Sequence, residues 1–136
     1  MKHLGIWPVY SALLGLVFVA LSIRTLRLRR RLRIPLGDGG NDLRLRAIRT
    51  HANFAEYVPL GLLLLAGIEF VDAAAWLVHV SGISLLAGRL IHAFGVSRPA
   101  EVLAFRVAGM ALTFTSYLVA AGSILYRAVF GGAWHA

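Results

Sequence analysis

Arg49, Asn53 and Glu56 carry the strongest chemical signal in this chain, spaced i, i+4 and i+7 in the segment Arg49-Thr50-His51-Ala52-Asn53-Phe54-Ala55-Glu56-Tyr57-Val58-Pro59. At about 100° per residue they fall on one helical stripe. The stripe runs directly into Leu60–Ile68, which is almost wholly aliphatic. A guanidinium, an amide and a carboxylate therefore stand at the edge of a membrane-length segment. Ionisable groups at membrane depth are costly to insert and mark functional sites. Arginine forks suit carboxylates, and a glutamate beside them can receive an ammonium.

Further polar groups fall at the same level. Arg89 and His92 (i, i+3) share one face of the third apolar segment, and Arg106 lies about one and a half turns into the fourth. Three arginines (Arg49, Arg89, Arg106) against one glutamate (Glu56) leave a surplus of about two positive charges. Each unpaired charge at depth costs about 2.5–3.5 kcal/mol, so the surplus calls for an anion from outside the chain. Arg49 and Arg89 could snorkel to lipid phosphate. Convergence of three helices on one level fits a ligand site better. A small ligand with at least two negative groups, with or without an amine, matches the charges, whereas a pocket for cationic drugs would not be lined with guanidinium. No His/Asp/Glu grouping has metal-ligand spacing, and the absence of cysteine removes zinc–thiolate sites, disulfides and a thiol nucleophile. His51 and His79 are expected to be hydrogen-bonding residues between packed helices.

Composition says what must position these groups. The chain has 136 residues, of which 59% are hydrophobic and 15% charged, and its mean hydropathy is +0.75. Such a chain is too apolar for an ordinary soluble domain. Ile6–Ile23, Phe54–Phe70, Ala73–Ala87 and Val102–Leu125 each approach or reach the roughly 20 residues that cross a bilayer core. The expected fold is an all-α, four-helix transmembrane bundle forming one domain over 1–136, with helices at about 7–26, 43–71, 73–94 and 100–127. Asp42 or a neighbour should cap the second helix, and Pro59 should kink it. Asp72 marks a tight connection, making helices 2 and 3 an antiparallel hairpin. The first helix, lacking a small-x-small cleavage site, is expected to be retained.

The net charge of +8 does not indicate nucleic-acid binding. Nine of the fourteen basic residues lie between Arg24 and Arg49, beside two membrane segments, where topology accounts for them. The positive-inside rule makes the helix 1–2 and 3–4 loops cytoplasmic and places both termini outside, the arrangement of a multi-pass bacterial inner-membrane protein. Trp7, Trp76 and Trp134, joined by Tyr10 and Tyr126, then form an aromatic belt at the outer interface. The run Arg27–Arg33 is expected to pair with lipid phosphate. Gly61, Gly67, Gly82, Gly88 and Gly109 suit close helix packing. A bundle this small has little interior, so a polar pocket is more easily built between subunits.

The motif Arg49, Asn53, Glu56, Tyr57 and Pro59, with Gly88-Arg89-Leu90, His92 and Arg106, resembles that of the MAPEG proteins (membrane-associated proteins in eicosanoid and glutathione metabolism). The likeness covers all four helices and is greatest to the short bacterial branch, of microsomal glutathione transferase type. It implies a homotrimer binding glutathione as co-substrate between protomers, without a metal. By position, Arg49, Asn53, Glu56, Tyr57, Arg89 and His92 would hold the peptide, and Arg106 would be the catalytic residue that stabilises the thiolate. The thiolate would attack a hydrophobic small-molecule electrophile or act as a peroxidase. The chain departs from eicosanoid-synthesising members, which present tyrosines where His92 and Val96 stand. The alternative is a catalytically silent relative that binds phospholipid or another anionic amphiphile in the intersubunit groove.

Overall fold

The first helix begins where a proline costs nothing. Pro8 occupies the first turn of α1 (Trp7–Leu32), where N–H groups have no intrahelical partner to lose. The computed structural model describes residues 5–100 and 102–131, and these form four helices without a strand. After α1 come α2 (Asp42–Phe70), α3 (Ala75–Ser97) and α4 (Leu103–Phe130). All four are long and apolar enough to cross a membrane. Trp134 of the expected aromatic belt lies outside the described residues, while Trp7, Trp76 and Tyr126 sit at helix ends that share one end of the bundle.

Helix boundaries differ from expectation by three residues or more at four places, one of them the end of α4 at Phe130 rather than Arg127. The first helix continues past Leu26 to Leu32, so the basic run is mostly helical rather than a loop. Arginine and leucine are good helix formers, and no breaker intervenes before Pro35. Cations in the last turn also favour the helix dipole. Arg33 ends the helix in the left-handed region at φ 52°, and the Ile34 N–H closes back on the Arg29 carbonyl at 3.3 Å. Helix α3 runs to Ser97 through Gly95, and α4 starts at Leu103 rather than near Ala100. Gly95 is needed there because a Cβ would lie 2.9 Å from the Phe105 Cβ, where α4 begins.

The remaining junctions follow the expected pattern. Asn41 is the cap of α2, its Oδ1 accepting from the Arg44 N–H at 3.0 Å. The helix continues through Pro59. Residues 71–74 connect α2 to α3, with Asp72 at φ 53°.

Packing is tightest between α3 and α4. A methyl at Gly88 would stand 2.8 Å from the Gly109 carbonyl oxygen, and one at Gly109 would stand 2.6 Å from the His92 Cβ. Such contact of backbones is how membrane helices associate without a hydrophobic driving force. Two apolar clusters fill the rest, one around Tyr10, Leu65, Ile68 and Val78, the other around Leu14, Phe54, Val58 and Leu85. Helix α1 lies against α2 and α3. His51 bonds Ser22 at 3.0 Å and His79 bonds the Tyr10 hydroxyl at 2.9 Å, so both tie a neighbour to α1. Leu16, Val19, Leu63, Ile83, Val107 and Leu118 are exposed on the perimeter, the surface a bilayer would solvate.

One long-range clamp escapes any sequence pattern. The Glu69 carboxylate, near the end of α2, accepts from the N–H groups of Ile6 and Trp7 at 2.6 and 2.8 Å. It thereby caps the start of α1 from another helix, with the acid at the favourable pole of the dipole. Glu69→Ala should cost about 2 kcal/mol of stability, with Glu69→Gln recovering part of it. Thermal unfolding in detergent checks this, and an unchanged melting temperature would show that the clamp contributes nothing.

Candidate functional site

A polar groove of about 460 Å³ opens between α2, α3 and α4 at the arginine-rich end. Helix α2 supplies Asp42, Arg46, Arg49, Asn53 and Glu56, spaced by three and four so that they form one stripe. Helix α3 supplies His92 and Val96, and α4 supplies Arg106. Five of the seven residues singled out from the sequence thus meet in one groove: Arg49, Asn53, Glu56, His92 and Arg106. Its size is that of an ordinary small-molecule site.

Arg49, Glu56 and Arg106 are exposed on the groove walls, Asn53 is half-buried and His92 is buried. Among the described residues Arg49 and Glu56 have no ion-pair partner. Arg46 pairs with Asp42 at 2.8 Å and reaches the Val96 carbonyl at 3.4 Å. The stripe therefore extends about two turns further toward the helix start than Arg49. The i+3 and i+4 steps from Asp42 through Arg46 to Arg49 are the signal that could have revealed those two residues.

Tyr57 and Arg89 do not line the groove; they form the wall behind it. Arg89 is only 1% exposed. Its Nε donates to Thr113 Oγ1 at 3.0 Å, and its Nη1 donates to Asn53 Oδ1 at 2.8 Å. Nη2 approaches the Gly109 carbonyl at 3.5 Å and the Met110 sulfur at 3.3 Å. The guanidinium also lies 5.1 Å from the centre of the Tyr57 ring, whose backbone carbonyl accepts from the Tyr117 hydroxyl. Every contact is with a neutral group. Helical spacing put Arg89 on the same face as His92, but three residues subtend about 60° around the axis, enough to turn one side chain inward.

Two consequences follow for the groove. Its positive surplus is smaller than the sequence implied, because Arg89 turns its guanidinium into the protein rather than into the groove. Orientation of Asn53 is also settled. Arginine can only donate, so Asn53 must turn its oxygen to Arg89, which leaves its amide N–H groups for the groove. Asn53 is therefore a donor toward an anion.

Arg106 lies one turn into α4, shallower than expected, since the helix starts at Leu103. The N–H groups of that first turn add partial positive charge beside it. A second, apolar groove of about 430 Å³ lies along α4, lined by Leu103, Val107, Met110, Ala111 and Phe114. His92 and Arg106 line it as well. These two residues therefore stand between a polar compartment and an apolar one.

Four membrane-length helices define a multi-pass integral membrane protein. The MAPEG family model matches residues 7–126. Over 111 residues the chain is 37% identical to the Inner membrane protein YecN of Escherichia coli strain K12, a match covering 82% of this chain and 83% of that protein. The protein of the same name in Escherichia coli O6:H1 matches to the same extent. The chain belongs to the MAPEG family. No solved structure matches it.

Proposed function

We propose that this membrane protein is a glutathione-dependent transferase or peroxidase, in which Arg106 stabilises the glutathione thiolate for attack on a hydrophobic electrophile. The observation that carries this reading is the sharing of Arg106 and His92 by a polar and an apolar groove. A charged peptide and a greasy second substrate have opposite solvation needs. Their reacting atoms can meet only where two such compartments touch, and Arg106 is at that boundary.

The polar groove suits glutathione group by group. Arg49 and the amide of Asn53 offer donors to carboxylates, and Glu56 offers an acceptor to the α-ammonium. Arg106, with the start of α4 beneath it, favours an anionic sulfur, because a nearby cation lowers a thiol pKa. The electrophile enters laterally along α4 from the lipid. Tyr57 and Arg89 support this site from behind rather than touching the peptide.

Homotrimer assembly, with the site between protomers, is part of the same proposal. Arg49, Glu56 and Arg106 are exposed at a depth where open polar surface is costly, and a second copy would cover them. The proposed setting is a bacterial inner membrane with the arginine-rich end in the cytoplasm and both termini outside.

The test is a glutathione titration of the detergent-purified protein, followed by the ultraviolet absorbance of the thiolate at neutral pH. A saturable signal is expected. Calorimetric binding without that signal would point to the catalytically silent alternative, in which the groove holds an anionic amphiphile. No binding at all would remove glutathione from the site.

A further inference from the structure

We infer that the basic end of α1 forms a binding site for an anionic phospholipid, separate from the polar groove and independent of the glutathione proposal. A groove of about 590 Å³ lies there, with a floor of Ala20, Ile23, Leu28 and Leu43. Arg24, Arg27 and Arg31 line it too, and it shares no residue with the polar groove.

The geometry depends on α1 remaining helical to Leu32. At about 100° per residue, Arg24, Arg27 and Arg31 fall within about 60° of one another, one turn beyond Ala20. In a loop they would point in unrelated directions. Arg24 is fixed by donating to the Ser97 hydroxyl and to its carbonyl oxygen. Arg27 and Arg31 are exposed, and among the described residues neither has a hydrogen-bond or ion-pair partner.

Local protein charge cannot balance them. Positions 24–33 hold six arginines, and no acidic residue precedes Asp38. The Asp38 carboxylate accepts from the Gly40 N–H, and Asp42 is paired with Arg46. An anion must come from outside the chain, and the apolar floor says which kind. Leu16, Val19 and Ile23 are exposed on the lipid-facing side of α1 just before the arginines begin. The groove therefore straddles the level where acyl chains give way to headgroups. A phosphodiester can sit at Arg27 and Arg31 while its acyl chain follows Ile23 and Ala20. A soluble phosphate would leave that floor uncovered.

Native mass spectrometry of the full-length protein, delipidated in neutral detergent and titrated with phosphatidylglycerol or phosphatidylcholine, tests the site. Phosphatidylglycerol should be retained about tenfold more strongly than phosphatidylcholine. The double variant Arg27→Gln/Arg31→Gln should lose that preference, while Arg29→Gln/Arg30→Gln, which removes equal charge off the groove, should keep most of it. Equal loss in both variants would mean diffuse attraction and overturn the site. So would no preference in the unmodified protein, or a preference unchanged in both variants. A changed oligomer mass in Arg27→Gln/Arg31→Gln without any change in lipid retention would assign the groove to a second copy of the chain, which also overturns it.

Discussion

Arg106→Ala should abolish the thiolate signal of bound glutathione at neutral pH while leaving the assembled protein intact. The side chain is exposed on a groove wall, so its removal opens no cavity in the core. An ordinary thiol, with a pKa of about 8.5, is only about 3% ionised at pH 7. Lowering it to about 6.5 requires roughly 2.7 kcal/mol of preferential stabilisation, which a charge-assisted contact in a low-dielectric groove can supply. The variant should then show about 25-fold less thiolate at pH 7, and the difference should shrink as pH rises past the ordinary thiol pKa. Arg106→Lys, keeping the charge but not the fork, should fall between them. An absorbance titration from pH 5 to 10 at saturating glutathione reads all three. A curve for Arg106→Ala that overlays the unmodified protein would sink the mechanism. Retained binding with a lost thiolate separates this role from that of Arg49 and Asn53, whose removal should weaken binding first.

Much of the architecture was legible because bilayer physics leaves few choices. Four apolar runs near the spanning length predict four helices, and four are observed among the described residues, with every end within about three residues of expectation except that of α1, which runs on to Leu32. Helix ends were harder. Arg27–Arg31 reads as the end of a membrane span by hydropathy, yet nothing in it stops a helix, so the backbone continues after the lipid does. Gly95 reads as a terminator, but it lies inside α3, where the close approach of α4 leaves no room for a side chain. Distant packing decides such a position, and periodicity along one segment does not report it.

The site was legible to the same degree and no further. Arg49, Asn53 and Glu56 follow from a stripe on one helix, and their convergence with His92 and Arg106 follows from equal depth. Side-chain direction did not follow. Arg89 and His92 are equally plausible pocket residues at i and i+3, but the acceptors on Thr113, Gly109 and Asn53 draw the Arg89 guanidinium inward. The Glu69 clamp was invisible, because a glutamate beside a turn ordinarily faces water.

The position of Arg89 leads to the second large effect. Arg89→Ala should destabilise the protein by about 3–5 kcal/mol, since it leaves a cavity and strands the acceptors of Thr113 and Asn53. Such loss alone would not reveal a role in the site, so Arg89→Lys is the informative variant. It keeps the charge, but a single ammonium cannot reach Thr113 and Asn53 through two separate arms of a planar fork. Asn53 should then lose its fixed orientation, and glutathione should bind about tenfold more weakly, as expected when one charge-assisted donor is misplaced. The thiolate that does form should titrate as in the unmodified protein, because Arg106 is untouched. Weaker affinity with an unchanged thiol pKa marks Arg89 as a positioning residue acting through Asn53. A double-mutant cycle with Asn53→Ala decides the route: if Arg89 works through the amide, the two losses in binding should not add. Full additivity would mean that Arg89 reaches the peptide itself and that the wall between it and the groove opens when ligand binds.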